Sequence, residues 1–392
     1  MTIPLPKSLL VLLLWFAGLG AAAQFAKIAV PFDQLQAAYP GIGAQVGWLL
    51  SLVSLVGVFL GIVAGNLVAR FGAKRLLLLS LALGGALSLW QSSLPRIELM
   101  LISRVIEGLS HLIIVVAAPT LIAQLTAPRF MGLAMGLWSS FFGVSFAITA
   151  WGVIPMLGEQ VLPPLFLGHG VLLLGLSGLV LLFVPTVFQH DNTGPAPRGF
   201  VASHITAFRS PRISAPAAGW LFYTLTFVSL VAILPEKLPL EVKELAVGAM
   251  PLISVIGSLA IVPLLLRRFS AVQIIIAGMG AAALLVIATL AIPFGLASAL
   301  TLFAVLGLIQ GGSFASVPAL NSDVQDRALS YGLMAQAGNT GNLLGTPLLL
   351  WAGDIGGEAG FFASTAAIYA LGALAHLWLA RQRRAIPNQA VL

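Results

Sequence analysis

Arg104, Glu107 and His111 interrupt an otherwise apolar run between residues 98 and 125. Their i, i+3, i+7 spacing puts all three on one face of a helix, with Arg104 and His111 about 10 Å apart along its axis. A guanidinium in such a place can hold an anionic group, and a carboxylate and an imidazole can each carry a proton. The plainer reading is that Arg104 and Glu107 neutralise each other and brace the helix, with His111 a satisfied core imidazole. Lys27, just after Gln24, stands near the end of an earlier apolar run. A lysine there can attract a carboxylate, or it can snorkel so that its head reaches the outer headgroups.

Further along, Gln336, Asn339 and Asn342 form a polar stripe at i, i+3 and i+6 around Gly338 and Gly341. The stripe can hydrogen-bond a substrate, or it can be glue between helices worth about 0.6 kcal/mol per bond. Tyr223, Thr226, Gln310, Ser313, Ser51 and Ser54 are weaker candidates for a cavity wall. Trp138 can stack on a flat substrate or simply pack. Asp323, Asp326 and Arg327 form a charged turn, either a latch or a solvated surface. No catalytic triad, metal cluster or phosphate loop is legible. With five His and no Cys, we expect neither an enzyme nor a cofactor.

These side chains need elements that can bury them. The chain is 59% hydrophobic and 8% charged over 392 residues, with a mean hydropathy of +1.04; a soluble domain carries about 25% charged residues. A crossing needs about 20 apolar residues. The runs between turn signals predict an all-α integral membrane protein with twelve transmembrane helices. These fall at 8–32, 44–69, 75–94, 98–125, 131–156 and 164–186, then 213–235, 245–267, 270–292, 296–320, 328–352 and 360–381. The opening run has no evident cleavage site and reads as the first span. The polar interruption from Gln189 to Pro211 gives an N-terminal bundle (1–188), a cytoplasmic linker (189–212) and a C-terminal bundle (213–392). Weak internal echoes support a duplicated six-helix unit: Arg70-Phe71-Gly72-Ala73 with Arg268-Phe269-Ser270-Ala271, Glu107-Gly108 with Gln310-Gly311, and Met135-Gly136-Leu137 with Tyr331-Gly332-Leu333.

Charge sets the expected orientation. Of 19 Lys and Arg, Lys7, Arg70, Lys74, Arg75, Arg129, Arg198, Arg209, Arg212, Arg267, Arg268, Arg327, Arg381, Arg383 and Arg384 fall on one side, with only Asp191, Asp323 and Asp326 as acids. The other side holds Asp33, Glu98, Glu159, Glu236, Glu241, Glu244, Asp354 and Glu358. That asymmetry predicts cytoplasmic termini in a cell inner membrane. It also accounts for the net charge of +7 without a nucleic-acid partner.

The basic turn Gly65 to Arg75, with its G-x-x-x-x-R-x-G-x-K-R spacing, resembles the loop between helices 2 and 3 of the major facilitator superfamily. The family's usual Asp before the first Arg is replaced by Ala69, so the interdomain latch that the resemblance implies lacks its acid. Arg104-Val105-Ile106-Glu107-Gly108 resembles the family's helix 4 signature R-x-x-x-G, and the Arg70-Phe71-Gly72 turn is similar to that of the cyanate-permease-like branch. The helix 5 Gly-Pro pair associated with antiport is missing from Gly143 to Gly152, which speaks against a drug exporter.

The resemblance implies a monomeric, alternating-access secondary transporter. From the residues we expect a small organic anion held by Lys27 and Arg104 with Gln24, Gln336, Asn339, Tyr223, Gln310 and Trp138. A coupling proton would ride on Glu107 or His111, and Arg70, Lys74, Arg75, Asp323, Asp326 and Arg327 would gate the cytoplasmic side. The rivals are a proton-driven exporter of amphipathic compounds and a non-transporting membrane sensor or assembly factor.

Overall fold

Apolar chain in a bilayer must satisfy its backbone polar groups internally, which favours helices. The computed structural model describes residues 5–61, 64–185, 200–292 and 294–385, and among them every regular element is helical. In chain order these are α1 (Lys7–Ala29), α2 (Phe32–Ala38), α3 (Gly47–Leu60), α4 (Ala64–Phe71), α5 (Ala73–Gln91), α6 (Ile97–Leu125), α7 (Met131–Ser139), α8 (Phe141–Met156) and α9 (Leu162–Phe183). The second half contains α10 (Phe200–Arg209), α11 (Pro211–Lys237), α12 (Leu240–Leu265), α13 (Ala271–Ala288), α14 (Leu296–Leu320) and α15 (Val324–Ala385).

Local chemistry fixes several ends. Ser210 caps α11 by accepting from Ile213 N, with Pro211 in the first turn, where its missing N–H costs nothing. Ser270 and Gln273 form a reciprocal capping box at the start of α13.

Among the described residues, nine helical stretches are long and apolar enough to cross a membrane. One of them, Leu329–Ala385, is 57 residues long and breaks inside at Gly357, where φ is 60° and ψ is −150°. Only glycine adopts that conformation without strain. Two further apolar helices, α3 and α8, are shorter.

The helices depart from the sequence expectation in places where propensity is silent. The expected first span, 8–32, ends at Ala29 and is followed by the separate α2. Tyr39, at the end of α2, donates to Pro95 O at 2.8 Å, and burial pushes its hydroxyl up to about 12. The expected span 44–69 is interrupted by a 3₁₀ turn at Leu52–Ser54. α8 and α12 each contain a π-helical turn, Ile148–Val153 and Gly257–Ile261. The expected polar linker contains α10; Asp191 and Arg198 lie outside the described residues.

A continuous apolar core joins the halves, with Phe25, Phe146, Phe227 and Phe303 all buried in it. Two seams run alongside. At one, α3 lies on α15: a side chain at Gly47 would meet Thr346 and Leu350, one at Gly57 would fall on Asn339, and one at Gly61 would touch the Gln336 backbone. At the other, α8 lies on α12. Trp151 Nε1 donates to Glu244 O at 3.0 Å across a close approach at Gly248, and Gly143 sits against Pro251.

Candidate functional site

The charged residues singled out from the sequence come together inside the first half. α1 delivers Gln24 and Lys27, α6 delivers Arg104 and Glu107, and all four are buried. Lys27 Nζ lies 2.7 Å from Glu107 Oε1, and Arg104 pairs with the other oxygen, Glu107 Oε2. One carboxylate thus bridges two cations. The Lys27 ammonium also donates to Gln91 Oε1 at 2.7 Å and Ser88 Oγ at 2.9 Å, both on α5. Arg104 donates to two backbone carbonyls, Leu49 O on α3 and Gln24 O on α1, each at 2.7 Å. These contacts close the cluster on every side, so Lys27 does not reach a headgroup layer.

Three members lay beyond the sequence reading. Gln91 bridges the cluster, accepting from Lys27 and donating to Ser103 Oγ and Glu107 Oε2, both at 2.9 Å. Ser88 donates to Phe166 O at 2.9 Å. His169, in the middle of α9, has Nε2 2.9 Å from Gly20 O and Nδ1 2.9 Å from Ser88 Oγ and 3.4 Å from Lys27 Nζ. Since a carbonyl can only accept, Nε2 carries a proton and donates it to Gly20 O. The available signal for each was only a single neutral polar residue within or at the end of an apolar span.

Counting formal charge among the described residues, Lys27 and Arg104 face Glu107 alone, so the cluster carries one surplus positive charge. Buried in a membrane-spanning bundle, that charge is costly unless an anion joins it or a proton leaves.

His111 sits one helical turn beyond Glu107. It donates from Nδ1 to Ala21 O at 3.1 Å and meets Phe25 edge-on at 5.0 Å. The remaining candidates lie elsewhere. Gln336 donates to Val58 O at 2.7 Å across the α3–α15 seam. Asn339 bonds Ala335 O of its own helix and lies over Gly57. Gln336 Oε1, Asn342 Oδ1, Gln24 Oε1, Ser51 Oγ and Ser54 Oγ are buried without a partner among the described residues. Tyr223 stacks between Trp220 and Phe227 at 4.8 and 4.9 Å, and Phe227 in turn meets Phe142 at 6.1 Å across the halves. Gln310 accepts from Ser254 at 3.4 Å. Trp138 stacks on Phe141 at 4.7 Å, against Gly18.

Hydrogen bonds hold both the basic turn and the acidic turn. Lys74 donates to Leu181 O, Arg70 lies over the Phe71 ring, and Arg75 is exposed. Arg327 donates to Asn321 O and Ser322 O, while Asp326 N donates to Asp323 Oδ2. An ion pair that does join the halves lies at the opposite end: Lys243 Nζ is 2.8 Å from Asp33 and 2.9 Å from Glu236.

Charges held inside a bundle of membrane-length apolar helices define a multi-pass membrane protein with buried polar groups in its interior. The family comparison is specific: the model of the Major Facilitator Superfamily matches residues 10–328. The chain belongs to that superfamily, and membership implies a secondary transporter that binds a small-molecule substrate. No curated protein matches the chain.

Proposed function

We propose that this transporter moves a small organic anion into the cell across the inner membrane, together with a proton. Twelve spans in two six-helix bundles, residues 1–188 and 213–392, would rock about the seams while both termini stay cytoplasmic. The break at Gly357 and the two shorter apolar helices support the span count, since they add crossings to the nine long stretches. The observation that carries the reading is the surplus positive charge of the Lys27–Glu107–Arg104 cluster. A monovalent anion beside Lys27 and Arg104 would bring it to neutrality, with Gln24, Gln336, Asn339, Tyr223, Gln310 and Trp138 completing the site. Glu107 or His111 would carry the proton, and Arg70, Lys74 and Arg75 with Asp323, Asp326 and Arg327 would gate the cytoplasmic end.

The test is a thermal-shift screen of the purified protein against small carboxylates, other organic anions, organic cations and neutral solutes. Binding to the native state raises apparent stability by mass action. A shift from one anion class, lost in Lys27→Met, supports the reading, and shifts confined to bulky cations or neutral amphiphiles overturn it. For coupling, Glu107→Gln should retain anion exchange in proteoliposomes while losing accumulation driven by a pH gradient. Loss of both would remove Glu107 from the proton path.

A second reading is favoured by how fully the cluster is satisfied from within the first half. Lys27, Arg104 and Glu107 would then brace α1, α5 and α6, and the anion would lie wholly at the seam. In that case Lys27→Met leaves the ligand-induced shift intact, whereas Gln336→Ala removes it.

A further inference from the structure

A cavity of about 680 Å³ lies away from the charged cluster, between α11, both limbs of α15 and α10. Its size is in the range of small-molecule sites, roughly 300–1,000 Å³. Each long helix lends one face at helical spacing: Ala218 and Leu221 from α11, Leu333 and Ala337 from the first limb of α15, and Trp378 and Leu379 from the second. α10 supplies Phe208 and Arg209 at the mouth. Phe208 is 66% exposed and Trp378 is 58% exposed, so the cavity opens sideways to the surroundings of the bundle.

Depth and charge narrow the occupant. Both Pro211 and Leu221 line the cavity, and ten residues of helix span about 15 Å. That is half the roughly 30 Å hydrocarbon core, the reach of one leaflet. Arg209 lines the mouth, and Arg212, Arg381, Arg383 and Arg384 lie within two residues of Pro211 or Gln382, which also line the cavity; neither 200–221 nor 371–385 contains an acid. Arg383 donates to Pro211 O at 3.1 Å, which ties the end of α15 to the start of α11 beside the mouth. Clustered arginines at a membrane surface recognise anionic headgroups.

We propose that this cavity is a binding site for one anionic glycerophospholipid, its acyl chain along α11 and α15 and its phosphate on the arginine rim. Gln336 is on the cavity wall and also donates to Val58 O across the halves. The lipid therefore lies against a residue that clasps the α3–α15 seam.

The test titrates the purified full-length protein, in a single detergent, with dioleoyl phosphatidylglycerol or with dioleoyl phosphatidylcholine. Phosphatidylglycerol should raise the melting temperature at about one lipid per protein, and phosphatidylcholine should need at least tenfold more. Arg209→Gln with Arg212→Gln, both at exposed positions, should abolish the preference. Phosphatidylglycerol brominated in its acyl chains should quench wild-type tryptophan fluorescence more than that of Trp378→Phe, which locates the chain in the cavity. Equal midpoints for the two lipids, an unchanged preference in the arginine double variant, or equal quenching with and without Trp378 would each overturn the proposal.

Discussion

Glu107 is the counter-charge for two buried cations, and the three side chains are unequal in what their loss would do. Glu107→Gln leaves Lys27 and Arg104 facing each other without a carboxylate. Breaking a buried pair in this way costs about 3–5 kcal/mol. Lys27→Met removes the surplus charge and leaves Arg104 paired with Glu107, so it should cost much less. Melting of the two variants in detergent checks the order, and equal losses would contradict the charge count. Arg104, Glu107 and Lys27 were legible because charge in an apolar run is rare. Gln91, Ser88 and His169 were not, because a single neutral polar residue in a span carries no sign and no spacing. Their partners come from positions as far apart in the chain as Lys27 and His169, a pairing that periodicity along one helix cannot reveal.

At the scale of elements, the R-x-x-x-G stretch of α6 has a packing reason. A side chain at Gly108 would fall on Val53 O of α3, and α14 repeats the approach, where one at Gly307 would fall on Ser254 O of α12. Gly108→Ala should push α3 and α6 apart at a cost of about 1–3 kcal/mol. A lowered melting temperature would show it, and an unchanged one would mean that α3 gives way freely. Apolar run length made most of the helices readable, since a span of α6's length has few alternatives in lipid. It said nothing about the 3₁₀ turn in α3, the π turns of α8 and α12, or the small α2. α10 was hidden because Phe200–Arg209 mixes apolar and polar residues in ten positions, too short for a crossing and too polar to stand out.

For the molecule as a whole, the halves are tied by an ion pair that sequence could not pair up: Asp33 follows α1 and Lys243 opens α12, 210 positions apart. Lys243→Gln should loosen that end. The chain has no cysteine, so Thr346→Cys introduces a unique thiol. Thr346 is buried beside Gly47, and its maleimide labelling should rise when Lys243→Gln is added. Equal labelling would show that the seam stays shut without the pair. The all-helical membrane character and the superfamily were readable from the chain; the pairing of Asp33 with Lys243 was not, because it depends on a contact between distant segments.

The surplus charge has an electrical consequence. With Glu107 ionised the empty cluster carries +1, and taking up a monovalent anion together with the coupling proton leaves the site at +1. A membrane voltage acts on a displaced elementary charge with about 2.3 kcal/mol per 100 mV. Voltage should therefore act alike on the loaded crossing and on the empty return, and cancel over a full cycle. In proteoliposomes with an imposed potassium diffusion potential, the anion gradient finally reached should match that reached without it, and should follow the pH difference instead. Accumulation that changes with the potential would mean that anion and proton do not cross one for one.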